Sequence, residues 1–263
     1  MKTPHMKKPL SLLFIACLSV LGCLAQKNGT LSLSLGPAIP VGEFANKSVV
    51  DDKSGLAKIG WLADLSYLHP IGNKHFGFIA TLRGRINGVD TKSAMDLYAT
   101  SYPQYAWSAT SNHWKAAAVM AGGYYNFPAS SKIDIPVALL AGVAKAYFNE
   151  QTITGVRDSA NVPVDLIQAK FNKVDATAFS GMLKAGMVYH LTKRCALTAN
   201  IDFWYLKPTF KNVTQTVVFA QGLIVPGVLS PSNATSISVY SDTRSYQQPM
   251  NSVNVTVGLA YGL

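Results

Sequence analysis

Cysteine is scarce in this sequence, and its placement limits how the chain can be stabilised. The 3 cysteines of the 263 residues are Cys17, Cys23 and Cys195. The first two fall within an N-terminal segment with the features of a cleavable export signal, so Cys195 would stand alone in the mature chain. A single cysteine excludes an intramolecular disulfide, and an exported chain must then gain its stability from another source.

Charge is also scarce, and it is not concentrated anywhere. Only 14% of the residues are charged, whereas 49% are hydrophobic and the chain has 20 glycines, 12 tyrosines and 11 phenylalanines. This balance favours half-apolar β-strands over charged amphipathic helices. The net charge of +10 is scattered along the sequence. We therefore expect no nucleic-acid partner, because nucleic-acid binding needs basic residues clustered on one face.

Motifs of known catalytic chemistry are missing. The sequence has no G-x-S-x-G elbow, no P-loop and no dinucleotide fingerprint, and no two of its 5 histidines have H-x-x-x-H spacing. We therefore expect no cofactor and no metal site. Ser180, His190 and Asp175 have the side chains of a hydrolase set, but all three lie on one predicted strand instead of converging, so we expect no enzymatic activity.

Residues 1–25 carry the pattern of a secretory signal. Three lysines precede an uncharged apolar run from Pro9 to Ala25, and together they form the basic and apolar regions of such a signal. We expect cleavage before Gln26, which leaves residues 26–263 as one domain because no linker-like composition divides them. Lipidation of Cys23 is one alternative. An uncleaved transmembrane helix is the other, although such a helix needs ~20 apolar residues.

The C-terminal segment alternates with a two-residue period. Its apolar positions are Val253, Val255, Val257, Leu259, Tyr261 and Leu263, and the small or polar positions between them are Asn254, Thr256, Gly258, Ala260 and Gly262. Such a period is typical of a β-strand with two different faces. Its length matches the ~9–11 residues with which a tilted strand crosses a bilayer.

Seven further segments complete a set of predicted strands. The set covers residues 30–42, 56–69, 74–87, 114–127, 132–147, 174–191, 194–207 and 250–263. Short connections alternate with long ones, as in outer-membrane barrels, where tight turns lie at the periplasmic end and long loops outside. The sequence thus predicts an all-β fold, an eight-stranded antiparallel up-and-down transmembrane β-barrel with short periplasmic turns and long extracellular loops. A soluble lipocalin-like barrel is the alternative.

Three short motifs resemble a known family. The first strand reads G-P-x-x-P-x-G-x-F over residues 36–44, the second contains Asp64-Leu65-Ser66-Tyr67, and the third opens with Phe76-Gly77-Phe78. In these motifs the chain resembles the outer-membrane β-barrel domain family of Bacteroidetes-type bacteria, which are small OmpA-like or PorT-like eight-stranded barrels. The resemblance implies a place in the outer membrane. It also implies recognition of the C-terminal strand by the barrel-insertion machinery, although this chain ends in Leu263 where the family usually has an aromatic residue.

If the apolar positions face lipid, charged residues point into the lumen. The predicted outward set is Ala57, Ile59, Trp61, Ala63, Leu65 and Tyr67 of the second strand and Phe76, Phe78, Ala80, Leu82 and Ile86 of the third. The predicted lumen charges are Lys58, Asp64, Arg83, Arg85, Lys184 and Asp202. A barrel of this size has room for its own side chains and little else, so we interpret these charges as a structural network in preference to an ion pathway. Which side chains of strand 114–127 face lipid is left undecided, because both sets of alternating residues are rich in small residues.

The connection after the third strand is rich in aromatic residues. They are Tyr98, Tyr102, Tyr105, Trp107 and Trp114, set among Ser, Thr, Ala and Asn. Such a composition is typical of adaptable binding surfaces, which suggests an extracellular ligand. The alternative is that these rings belong to the aromatic girdle and an extended barrel wall.

Three functional hypotheses remain open at this stage. The first is a structural or surface-display barrel in outer-membrane lipid, and the second is an adhesin or ligand-binding barrel whose loops make the contact. The third is a narrow pore or a lipid-modifying enzyme at the barrel rim. The apolar residues of segment 217–229 bear on this choice. We expect them to form a hairpin that prolongs the barrel, with a cap over the mouth or a contact patch as alternatives.

Overall fold

Strands make up most of the described chain. The computed structural model describes residues 29–263 except 49–50, 52, 73–74, 112, 149, 160–161 and 224–233, so the predicted signal segment 1–25 lies outside the described residues. The strands are β1 Thr30–Pro40, β2 Ala57–Ile71, β3 Phe76–Val89, β4 Ala106–Ser111, β5 Trp114–Pro128, β6 Ile133–Phe148, β7 Gln151–Ser159, β8 Val162–Phe171, β9 Val174–His190, β10 Cys195–Leu206, β11 Thr209–Leu223, β12 Ala234–Gln247 and β13 Ser252–Gly262. A 3-10 turn covers Gly42–Phe44, and helix α1 covers Thr91–Ser101.

Eight of these strands close into a barrel. Their order around the wall is β1-β13-β10-β9-β6-β5-β3-β2, and each neighbouring pair is antiparallel. The last step of closure joins the two ends of the described chain, because Thr30 of β1 lies opposite Gly262 of β13. The predicted eight-stranded fold is therefore confirmed, and the predicted strands agree with the observed bounds to within about two residues.

The two faces of the wall differ as the alternation predicts. In β13, Val255, Val257 and Leu259 point outward and are exposed, whereas Asn254 and Thr256 point into the barrel and are buried. The same rule holds along most of the other wall strands because successive side chains of a strand point to opposite faces. The outside of the barrel is consequently apolar, and its interior contains the small and polar residues.

The start of β2 departs from the predicted parity. Ala57 pairs with Val89, but the next pair is Gly60 with Asn87, so β2 contains one extra residue at this point. Such a β-bulge reverses the facing of the residues on one side of it. Ala57, predicted to face outward, is buried, and Lys58, predicted to face the lumen, is exposed.

The structure also settles the facing of β5. Ala116, Ala118, Met120 and Tyr124 are buried in the barrel, whereas Ala117, Val119 and Ala121 face outward. Gly122 lies where β5 and β6 come close together, and a Cβ built on it would lie 1.9 Å from the carbonyl oxygen of Leu139. Glycine is therefore needed at this position for a packing reason, which periodicity cannot reveal.

A second sheet is built from the long connections. Its order is β12-β11-β8-β7-β4, and its strands all come from the connections at the barrel end opposite the short turns. The hairpin predicted for segment 217–229 is not formed by residues 217–223, which all lie in strand β11; this strand pairs with β12, with Val217 opposite Tyr240. Residues 224–233 of the segment lie outside the described residues. The connections expected to be loops are thus largely strands.

Helix α1 is short and packs on β4 of this second sheet. Its 11 residues, Thr91–Ser101, include Ala94 as a buried residue. Within the described ranges, no helix has the length and apolar character needed to span a membrane.

The facing of β13 generates a paired prediction. Leu259→Arg places a charge on the exposed apolar face, whereas Ala260→Ser adds a hydroxyl to the buried polar face. We expect the first change to lower the free energy of unfolding in lipid vesicles by about 2–4 kcal/mol if the site lies near the bilayer midplane, and the second to change it little. Urea titration of both variants measures this, and a larger loss for Ala260→Ser would mean that the facing is reversed.

Candidate functional site

The centre of the lumen is organised around one arginine. Arg83, which is fully buried, donates from Nε and Nη2 to the two carboxylate oxygens of Asp64, both at 2.6 Å. It also donates from Nη1 and Nη2 to the two oxygens of Asp202, both at 2.7 Å. Because Asp64 is on β2 and Asp202 is on β10, this guanidinium links β3 to its neighbour and to a strand across the barrel.

Two further residues complete this carboxylate network. Asn254 donates from Nδ2 to Asp202 at 2.6 Å, and the Lys184 ammonium lies 3.6 Å from Asp64. Four of the predicted lumen charges, Asp64, Arg83, Lys184 and Asp202, are thus brought together. Buried charges are tolerated only when they are paired and hydrogen-bonded, so this arrangement is the one expected of a structural network.

Arg85, the next inward residue of β3, is held by neutral groups. It donates to Ser252 Oγ at 2.7 Å and to the Met250 carbonyl at 2.8 Å. Its guanidinium carbon lies 4.4 Å from the Trp204 ring centroid and 5.0 Å from that of Phe44. Cation–π contact with two rings therefore accompanies its hydrogen bonds.

Above Arg85, towards the long connections, an aromatic plug fills the barrel mouth. Trp114 packs edge-on against Phe44 at 6.0 Å and against Phe148 at 5.4 Å, and lies 6.2 Å from Phe210. Its indole N–H donates to the Gly55 carbonyl at 2.8 Å. This plug was not predicted from the sequence, although its residues share a feature: each lies at or within a few residues of the end of a barrel strand on the long-connection side. The plug residues are Phe44, Trp114, Phe148, Phe171 and Phe210.

The first-strand motif explains how Phe44 reaches the plug. Strand β1 ends at Pro40, and Gly42 then adopts φ +61°, a conformation that favours glycine. The 3-10 turn that follows carries Phe44 over the lumen, where it is completely buried. The motif from Gly36 to Phe44 is thus a strand followed by a turn that closes the mouth.

Lys58 lies outside this network. Its ammonium lies 3.4 Å from Asp90, and that of Lys47 lies 3.1 Å from the same carboxylate. Burial alone would raise the pKa of Asp90, but the hydrogen bonds and charges of the two lysines outweigh it and hold that pKa below its usual range. Lys58 therefore helps to fasten the chain after β3 to the barrel rim.

A cavity of about 250 Å³ occupies the other half of the lumen, at the short-turn end. Its lining includes Lys184 towards the barrel centre and His190 with Asp134 at the rim, where His190 Nε2 lies 2.8 Å from the Asp134 carboxylate. The central network and the plug separate this cavity from the long connections.

The side chains that suggested a hydrolase set have separate partners. Ser180 accepts a hydrogen bond from Trp204 Nε1 at 2.6 Å inside the barrel, His190 pairs with Asp134 at the short-turn rim, and Asp175 pairs with Lys145 at 2.9 Å near the other end of β9. Their lack of convergence follows from their places along one strand. The described residues also contain no group of three His, Cys, Asp or Glu side chains suited to a metal ion.

The predicted aromatic surface is only partly assembled. Tyr98 stacks on Trp107 at 5.0 Å, with Tyr105 at 5.8 Å and Tyr102 at 6.3 Å from the same ring. Trp107 also packs on Gly155, its cross-strand partner on β7, where an added Cβ would lie 2.7 Å from the indole. These four residues hold α1 against β4. Trp114 does not join them, because it is the buried centre of the plug.

Comparison with known proteins gives structural similarity alone. No protein-family model matches the chain, and no curated protein matches it. A major outer membrane protein from Thermus thermophilus is 11% identical with a TM-score of 0.41, covering 89% of this chain and 99% of that one. Ail, the attachment invasion locus protein of Yersinia pestis, is 10% identical with a TM-score of 0.41, covering 90% and 99%. Neisserial surface protein A is 11% identical with a TM-score of 0.44, covering 90% and 97%.

The lumen network generates a second prediction. Arg83→Gln leaves two buried carboxylates side by side without their shared cation, so we expect a loss of ~3–5 kcal/mol in the free energy of unfolding. Lys58→Gln is the matched control, because its ion pair is half-exposed and its loss should cost about 0–1 kcal/mol. Both are measured by urea unfolding in lipid vesicles. Equal losses for the two variants would contradict the central role given to Arg83.

Proposed function

We propose that the chain is an integral outer-membrane protein whose barrel lies in lipid and displays the second sheet outside the cell. The outer face of the barrel carries this proposal. Each wall strand has an outward apolar side chain that is between 55% and 73% exposed: Leu33, Trp61, Phe78, Val119, Leu139, Phe179, Ile201 and Val257. An apolar surface continuous around a barrel is unstable in water and suited to hydrocarbon. The polar lumen agrees, since a soluble lipocalin-like barrel would have its apolar face inside.

The height of the apolar face also suits a membrane. From Val253 to Tyr261, β13 rises roughly 27 Å along the strand at about 3.4 Å per residue. A tilt of about 40° reduces this to ~21 Å along the barrel axis, close to the ~25 Å apolar band of outer-membrane barrels. Aromatic side chains gather at the short-turn end of the band, as expected of an interfacial girdle. They are Tyr67, Phe76, Tyr125, Phe127, Tyr189 and Tyr261.

A lumen that is blocked at its centre and at its mouth favours display over conduction. The carboxylate network, Arg85 with Trp204, and the aromatic plug occupy successive levels of the barrel. Most of their residues are almost fully buried, with Arg83, Trp204 and Phe210 among the largest buried side chains, and Phe148 and Phe171 are partly buried. The interior therefore serves to stiffen a scaffold, and the surface available for contact is the second sheet.

Export and insertion complete the proposal. Residues 1–25 would be removed during secretion, and the C-terminal strand with Tyr261 and Leu263 would be read by the barrel-insertion machinery. Membership of the Bacteroidetes-type barrel family is part of the same proposal, and it is supported by the resemblance of the motif from Gly36 to Phe44.

Binding of an extracellular ligand is the second candidate. The five-stranded sheet favours it, because loops and sheets on a rigid scaffold commonly make contacts. In the aromatic set of α1 and β4, Trp107 is half-buried and Tyr102 is 49% exposed. A contact surface would therefore include this set as well as the exposed strands of the sheet.

Labelling of intact cells tests the proposed orientation. In a Cys195→Ser background, we expect Ser238→Cys on β12 to react with a maleimide too large to enter porins. Lys193→Cys on a short turn should react only after the outer membrane is permeabilised. Both side chains are exposed in the structure, so a difference reports which side of the membrane they occupy. If the Lys193→Cys variant is labelled in intact cells and the Ser238→Cys variant is not, the orientation is the opposite one. If neither variant or both variants are labelled, the result contradicts a surface-displayed sheet.

A further inference from the structure

Strand β12 forms one edge of the second sheet. It pairs with β11 on one side, and no described strand lies on the other. From residue 236 to residue 247 its side chains are exposed or half-exposed. An edge strand presents unpaired N–H and C=O groups that can pair with another chain, and natural edges are commonly protected by lysine or proline. Residues 236–247 contain neither, and their charged residues are one acid, Asp242, and one base, Arg244.

The sequence of this edge is nearly a palindrome. It reads Tyr240-Ser241-Asp242-Thr243-Arg244-Ser245-Tyr246, so that Thr243 is a centre with Ser and Tyr at matching distances on both sides. Only the charged pair breaks the symmetry, because an acid stands on one side of Thr243 and a base on the other. Such a segment is complementary to a second copy of itself running in the opposite direction.

The pairing that results is defined residue by residue. When two antiparallel copies meet at a two-fold axis through Thr243, Asp242 of each lies opposite Arg244 of the other. The same register sets Tyr240 opposite Tyr246 and Ser241 opposite Ser245. Opposite charges, aromatic pairs and hydroxyl pairs are the cross-strand combinations that stabilise sheets. If the two-fold axis passed through Ser241 or Ser245 instead, Asp242 of one copy would no longer lie opposite Arg244 of the other.

We propose that β12 pairs edge to edge with β12 of a second copy of this chain held in a facing membrane, which would make the protein a self-recognising adhesin. The proposal rests on the outer-membrane function above. Both charges are available for it: Asp242 and Arg244 form an ion pair within one strand, and the arginine side chain is 67% exposed. Two such pairs brought together form a ring of alternating charge.

The requirement for two membranes follows from strand direction. Strand β11 leaves the barrel after β10, and β12 returns towards β13, so β12 has a component along the barrel axis. Two copies in one membrane are related by an axis parallel to their barrels, which keeps that component, so their edges cannot become fully antiparallel. Parallel copies in register would place Asp242 beside Asp242. Copies in facing membranes are related by an axis between the membranes, which reverses one strand and allows the antiparallel register.

One strand pair is a small contact, but a membrane presents many. Multivalent contact between two surfaces converts weak pairing into firm adhesion. Vesicles that carry many copies are therefore the suitable assay, and turbidity or light scattering reports their clustering.

The test uses charge exchange in lipid vesicles containing the mature chain with its second sheet outward. We expect wild-type vesicles to cluster at least ten-fold above protein-free vesicles. Asp242→Arg alone and Arg244→Asp alone should each fall to the protein-free level, because like charges then face each other. Mixing these two populations should restore clustering, since each variant supplies the charge that the other lacks. The double exchange, carrying both substitutions, should cluster with itself.

A matched control separates edge pairing from net charge. Lys170→Asp lies on β8, inside the sheet, and changes the charge by the same amount as Arg244→Asp, so it should cluster like wild type. Retained clustering by both single variants, or no recovery on mixing, would overturn the proposal. A folded barrel migrates differently on a denaturing gel before and after boiling, and this heat-modifiable migration shows that the protein has inserted. Wild-type vesicles that contain such protein and do not cluster would overturn the proposal too, while leaving the membrane function intact. If the chain does not insert, the membrane function fails, and sedimentation of the same variants in detergent tests the edge pairing by itself.

Discussion

The pairing of β1 with β13 is the constraint on which the rest of the structure depends. It joins the two ends of the described chain, from Thr30 opposite Gly262 to Pro40 opposite Ser252, and it removes the open edges that an eight-stranded sheet would otherwise have. A closed ladder satisfies its backbone hydrogen bonds internally, which is the condition for strands in hydrocarbon. Closure also divides every wall strand into an outward and an inward face, and this division accounts for the alternation of the sequence.

The inward face is filled in layers whose chemistry changes along the axis. At the short-turn end a cavity remains, at the centre Arg83 binds Asp64 and Asp202, and at the far end Arg85, Trp204 and the aromatic plug close the mouth. Each layer links strands that are distant in sequence. These layers stabilise the barrel from within. They also fix the base of the second sheet to the barrel mouth, because Phe171 of β8 and Phe210 of β11 belong to the plug.

Sequence reasoning succeeded where one pattern persists over a whole strand. The wall strands, their order of short and long connections, and the meeting of Asp64, Arg83, Lys184 and Asp202 all follow from parity. It failed where an extra residue changes which side chains of a strand face the lumen, as at the bulge in β2 that places Lys58 outside. It also failed where contacts join distant segments, as in the plug around Trp114. The second sheet was not predicted because none of its strands keeps a strict apolar alternation over its whole length, and their pairing depends on connections that the barrel first brings together.

The central claim is that the barrel has lipid outside and a packed polar interior, and tryptophan fluorescence tests it most directly. Trp61 points outward and is 73% exposed, whereas Trp204 is completely buried beside Arg85. Two variants that keep one of these tryptophans and replace the others by phenylalanine can be inserted into vesicles with brominated acyl chains, with heat-modifiable migration as the check of folding. Strong quenching of Trp61 with little quenching of Trp204 is the predicted result. Strong quenching of Trp204, or none of Trp61, would contradict the account.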